Sequence, residues 1–162
     1  MRKSSSVALV FVFAMAGFGF GLLHAQDASS PGPSAAQGKS QATDVPAYHA
    51  ILPKDALPET RDPSQFSDLQ TKNVYALAAK VKSVLYQQPC YCHCDKEMGH
   101  TSLLSCYTDR HASVCVLCQK EAVLAYTETK KGKTPAQIRK EIIDGKWKDV
   151  DLSVYETSAA SN

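Results

Sequence analysis

The chain has 162 residues, 44% of them hydrophobic and 21% charged, with a formal net charge of +2. Such a length suits one modest domain with accessory segments, and the interspersed, nearly balanced charge leaves no basic face for nucleic acid or for an acidic lipid surface. All six cysteines fall between Cys90 and Cys118, with His93, His100 and His111 interleaved among them, so any chemistry is to be sought there.

In chain order, Met1-Arg2-Lys3 is a short basic segment and Val7 to Leu23 an apolar run broken by Gly17, Gly19 and Gly21. With Ala25 at the junction, residues 1–25 read as a secretory signal peptide. The apolar run, about 18 residues, is near the lower limit for a membrane span, so cleavage with no stable membrane insertion afterwards is expected. Export to a periplasmic or extracellular space follows from that reading. Residues 26–43, built from Ala, Ser, Gln, Gly and Pro, bury too little apolar surface to offset their ordering entropy and read as a disordered linker. A cysteine-rich helical domain is expected over 44–150 and a flexible tail over 151–162.

Pro46, Pro53, Pro58 and Pro63 exclude long regular structure at the start of that domain and predict an extended arm. From Ser67, Leu69, Val74, Leu77, Val81, Val84 and Leu85 recur at helical spacing. Ser67 is placed as N-cap, with Gln70 three residues on, and the helix is expected to run to about Gln87, stopping before Pro89. His100 to Tyr107 reads as a short helix with Leu103 and Leu104 inward. A second long helix is expected from Thr108 or Asp109, with Val114, Cys115, Cys118, Ala122 and Ala125 on one stripe, ending at Lys130-Lys131-Gly132. A third starts at Thr134-Pro135-Ala136-Gln137, buries Ile138, Ile142 and Ile143, and ends at Asp144-Gly145. Trp147 is expected to pack this helix on the core, and Tyr91 to seal the thiol loop. The fold class is therefore all-α: a small bundle of three main helices plus a short one, with a proline-rich N-terminal arm and a Cys-rich segment between helices.

Gln88-Pro89-Cys90-Tyr91-Cys92-His93-Cys94, then Gly99-His100, Ser102-Leu103, Cys106, Cys115, Cys118, Glu121-Ala122 and the stretch Gly132-Lys133-Thr134 to Ile138-Arg139 resemble the bacterial PCYCGC-motif family from about Pro46 to Trp147. The resemblance implies an exported protein, often a lipoprotein, and brings no established activity with it. Two departures stand out: His93 occupies the place of the glycine in the family's name, adding a candidate metal ligand, and a lipoprotein cysteine is absent near the signal junction.

Three chemistries compete for the cluster. Three disulfides stapling a small exported domain are one, since the cysteine count is even. In an extended segment, however, Cys90 and Cys94 point away from Cys92, and pairing two of them with Cys115 and Cys118 on one helix strains the bridges. Metal binding is the second. If His111, Cys115 and Cys118 lie on one helical face, they offer three ligands opposite Cys90 and Cys94, with Cys92, Cys106, His93 and His100 completing one site or forming another. Soft thiolates at this density select Cu(I), then Zn(II), over hard cations. Asp95, Glu97 and Asp109 read as solvated or capping groups, and Met98 as a packing residue. The third is thiol-disulfide exchange by Cys115-x-x-Cys118, whose thiolate a helix N-terminus favours. Iron–sulfur and covalent haem ligation lack their spacings, and Ser102 and Ser105 lack the glycines of a nucleophile elbow. Binding is favoured over enzymatic turnover: an exported protein holding a metal ion for sequestration or transfer, with a metal-donor or acceptor protein as a candidate partner.

Overall fold

The structure, a computed structural model, describes residues 44–157. The readings of residues 1–25 as a signal peptide and 26–43 as a linker, and the last five residues of the tail, lie outside the described residues. Among the described residues the fold is all-α, with six helices and no strand: α1 (Leu69–Lys80), α2 (Lys82–Tyr86), α3 (Cys94–Glu97), α4 (Ser105–Thr108), α5 (Val116–Lys130) and α6 (Pro135–Ile143), with short 3-10 turns before α1, between α4 and α5, and after α6.

Helix α1 begins one residue later than Ser67 predicts. Asp68 is the N-cap, its carboxylate accepting from the Thr71 amide at 2.7 Å, which also holds the Asp68 carboxyl below its ordinary range. Gln70 closes no capping box and instead donates to Gln119 Oε1 at 2.6 Å. The single helix expected to Gln87 is broken at the buried Val81, where φ −128° and ψ 30° leave the helical region and the amide turns back to Ala78 O. Helix α2 then resumes and stops ahead of Pro89 as expected.

Helix α5 is the hub, packing against α1, α2 and α6. Its buried positions include the consecutive Glu121, Ala122, Val123, Leu124 and Ala125, so it is covered on more than one face, as a central helix must be. Helix α6 has the predicted capping box, with Thr134 and Gln137 bonding reciprocally and Pro135 in the first turn. Ile138 and Ile142 are buried one turn apart, whereas Ile143 is 37% exposed, because the next residue along a helix turns about 100° from the core. Gly145 follows with φ +80°, the left-handed conformation that suits glycine at a helix end.

The proline-rich arm wraps the bundle as expected. Its one regular piece is the 3-10 turn Pro63–Gln65, capped by Asp62; elsewhere His49 stacks on Tyr86 with ring centroids 4.0 Å apart, Arg61 donates its amide to Tyr107 O at 2.8 Å, and Phe66 packs against Tyr75. Cys90, Cys94, Cys106 and Cys118 belong to the same buried core as Leu103, Leu104, Tyr107 and Ala122.

Candidate metal centre

Three pieces of chain carry the thiols together: the turn after Pro89, the Leu103–Tyr107 segment and the start of α5. The first is anchored by Gln88, which is fully buried and donates its side-chain amide to Val84 O at 3.0 Å and to Pro135 O at 3.2 Å. Its own carbonyl accepts from Leu103 N at 2.9 Å, and Leu104 N reaches Leu85 O at 3.3 Å. The second segment is thereby laid against the end of α2. Tyr107 ties it to the third, its hydroxyl donating to Cys118 O at 2.9 Å.

The Cys90–Cys94 segment is not extended. His93 N returns to Cys90 O at 3.1 Å, and His93 takes φ +57° and ψ 30° before Cys94 opens α3. This reversal corrects the expectation that Cys92 faces away from its neighbours, since Cys90 and Cys92 Sγ lie 3.3 Å apart. Helix α5 also departs from expectation. Cys115 is its N-cap, in extended backbone, and His111 sits in the 3-10 turn His111–Ser113, so His111, Cys115 and Cys118 do not share one helical face. Val114, expected on the inner stripe, is 86% exposed.

The side chains nevertheless converge. Cys90 Sγ is 3.3 Å from Cys118 Sγ, Cys92 Sγ is 3.6 Å from Cys118 Sγ and 3.4 Å from His111 Nε2, and Cys94 Sγ is 3.4 Å from Cys106 Sγ. Two sets of four ligand atoms result, Cys90, Cys92, Cys94 and Cys106, and Cys92, Cys106, His111 and Cys118, with all atoms of a set within 4.8 Å of one another. Metal–sulfur bonds of about 2.3 Å in a tetrahedron set the sulfurs about 3.8 Å apart, a spacing between these shortest contacts and the 4.8 Å that bounds each set. All six cysteines are free thiols, and Cys90 lies equally near Cys92 and Cys118 rather than pairing with one of them. The residues can therefore hold a metal ion.

His100, Cys115 and His93 lie in neither set. His100 Nδ1 faces Cys106 Sγ at 3.3 Å while Nε2 faces Asp109 Oδ2 at 2.9 Å. With the carboxylate accepting from Nε2, the Nδ1 lone pair is turned to the thiols, the arrangement by which outer carboxylates orient metal-binding imidazoles. Cys115 is half-buried and is the N-cap of α5, three residues before Cys118. His93 Nδ1 lies 3.8 Å from Asp44 Oδ2. Met98, expected to fill the core, is 50% exposed. Tyr91 stacks toward Trp147 at 6.4 Å between ring centroids, and both pack, partly buried, against the core.

The thiols do not ionise alike. Hydrogen bonds from Cys106 foremost, then Cys115, Cys118 and Cys90, hold Cys92 far below the ordinary thiol range. Cys118 is pushed well up by Cys106 first, then Cys115, Cys90, Cys92 and burial.

Two carboxylates the sequence reading did not assign to the centre serve it. Asp109, besides holding His100, accepts from the His111 amide at 2.7 Å, so one side chain orients both imidazoles. Asp109 is expected as a solvated or capping group; its place in the sequence between the two histidines is the signal for this role. Glu121 is fully buried and accepts from Tyr91 N at 2.8 Å. Burial pushes its carboxyl up to about 8. An acidic residue three positions after Cys118, on the same helical face and beside the apolar run Ala122 to Ala125, was its signal.

A family model described as a protein of unknown function with PCYCGC motif matches residues 23–157. No curated protein and no solved structure matches the chain.

Proposed function

We propose that this chain, which belongs to the PCYCGC-motif family of proteins of unknown function, is an exported soft-metal-binding protein that sequesters or transfers Cu(I), with Zn(II) the second choice. The carrying observation is the convergence of five thiols and His111 into two four-ligand sets. Thiolate and imidazole ligands favour Cu(I) and Zn(II) over hard cations, and more sulfur is gathered than one structural zinc takes. That surplus places Cu(I) first. Export is supported by the character of residues 1–25.

Transfer is supported by Cys115. It is half-buried while Cys90 and Cys118 are 3% and 0% exposed, and it is the N-cap of α5, three residues before Cys118, so an ion exchanging with a metal-donor or acceptor protein has a thiol to meet before the buried ligands. Purification from an oxidising compartment with metal supplied, followed by elemental analysis beside non-reducing intact mass, tests the reading. Bound copper or zinc on a chain of fully reduced mass is the expected result. A metal-free chain about 6 Da lighter, inert to alkylation, means three disulfides and overturns it.

A further inference from the structure

The two ligand sets are not separate sites. Cys92 and Cys106 belong to both; Cys90 and Cys94 complete one, and His111 and Cys118 complete the other. Two tetrahedra that share two corners share an edge. We infer that the centre binds two metal ions at once, bridged by the thiolates of Cys92 and Cys106, with Cys90 and Cys94 terminal on one ion and His111 and Cys118 terminal on the other. This rests on the soft-metal reading above and adds the number of ions and the role of each ligand.

The two bridging positions are the ones the local structure crowds. Cys92 Sγ has Cys90 at 3.3 Å, His111 at 3.4 Å and Cys118 at 3.6 Å, so it faces terminal ligands of both ions; Cys90 and Cys118 Sγ, 3.3 Å apart in the structure, must part to about 5 Å for each to be terminal on its own ion. Cys106 Sγ has Cys94 at 3.4 Å on one side and His100 Nδ1 at 3.3 Å on another, and it is fully buried. Charge points the same way. Four thiolates about one ion bury more negative charge per ion than five thiolates shared between two, whichever of Cu(I) or Zn(II) is bound, and buried uncompensated charge is costly. Bonds of about 2.3 Å and a shared sulfur edge of about 3.8 Å hold the two ions about 2.7 Å apart, a distance no pair of independent sites imposes.

The test uses the full chain, reduced and anaerobic, loaded in parallel arms with Cu(I) alone and Zn(II) alone. Native mass spectrometry reads stoichiometry, and X-ray absorption reads the metal–metal distance. Two ions with a metal–metal vector of about 2.7 Å in at least one arm are expected. One ion at saturation in both arms, or two without that vector, overturns the bridged centre while metal binding stands; no ion in either arm defeats the metal reading beneath it. Cys94→Ser and His111→Ala are each expected to lower the stoichiometry from two ions to one, because each leaves the opposite set whole. Cys92→Ser, at a half-buried position, is expected to abolish the vector in a chain whose circular dichroism is unchanged, and retention of the vector in that variant overturns the inference.

Discussion

Among the described residues, His93 is the one other than glycine with a positive φ, at 57°. It occupies the place of glycine in the motif name of the matching family. The left-handed region costs a residue with a β-carbon about 1 kcal/mol or more, and histidine is among the few that enter it at all. The chain takes that conformation where it leaves the turn and enters α3, which carries Cys94 to Cys106. His93→Gly is therefore expected to raise the urea midpoint of the metal-free chain by about 0.5–1 kcal/mol in unfolding free energy, with metal stoichiometry unchanged. His93→Ala, which keeps the β-carbon, is expected to give no such gain; equal gains would show that the imidazole and not the backbone carries the cost. Asp109 acts through its neighbours, accepting from His100 Nε2 and from the His111 amide. Asp109→Ala is expected to weaken metal affinity about 10- to 100-fold in competition with a chelator while the stoichiometry holds. An unchanged affinity would remove Asp109 from the centre.

At the scale of elements, what was legible in the sequence was what is decided locally. The Thr134–Gln137 box, Pro135 and Gly145 define α6 by bonds within a few residues, and Gly132 closes α5 with φ +83°. The start of α5 was not legible, because distant partners hold the preceding turn open. Tyr75 donates to Asp109 O at 3.1 Å and Gln119 donates its side-chain amide to Ala112 O at 2.9 Å, and these bonds keep His111–Ser113 out of the helix. The candidate site was legible as a set of residue types and not as a geometry: the cluster assembles through a left-handed residue and a helix cap, neither of which spacing alone reveals.

The α5–α6 junction makes a pH-dependent contribution of its own. Glu128, with its side chain 8% exposed, pairs with Lys131 at 2.7 Å and with Lys133, which also reaches Glu141 at 2.8 Å. Lys131 first and then Lys133 lower the Glu128 carboxyl below its ordinary 4.5, and Lys133 and Lys146 lower that of Glu141. Folded-state values depressed in this way stabilise the fold above the unfolded value, and that stability is lost as pH falls through the folded value. Urea midpoints measured from about pH 4.5, below which the raised Glu121 carboxyl is protonated in both states, down to about pH 3 are expected to fall, and Glu128→Gln is expected to flatten part of that decline. An identical slope in the variant would place the acid sensitivity elsewhere.

Over the whole molecule, the candidate centre and the hydrophobic core are one region. Cys90, Cys94, Cys106 and Cys118 lie among Leu103, Leu104, Tyr107 and Ala122, and the chain segments they come from are those that Gln88 and Tyr107 already tie together. An ion there joins the turn after Pro89, α4 and α5 at ligand atoms instead of decorating a surface. Since the unfolded chain scatters those ligands, binding free energy becomes folding free energy. Free metal at 100 times its dissociation constant adds about 2.7 kcal/mol, which for a domain of this size is several degrees in thermal midpoint per kcal/mol. Calorimetry of the reduced chain is therefore expected to show a midpoint that rises with the logarithm of free Cu(I), falls when a chelator is added and recovers when metal is returned. A midpoint indifferent to metal under reducing conditions would mean that the thiols pack this core as small apolar side chains and bind nothing there. The stabilisation should also depend on ligands from all three segments, so Cys94→Ser and His111→Ala should each lose part of the metal-induced rise, although neither residue touches the other.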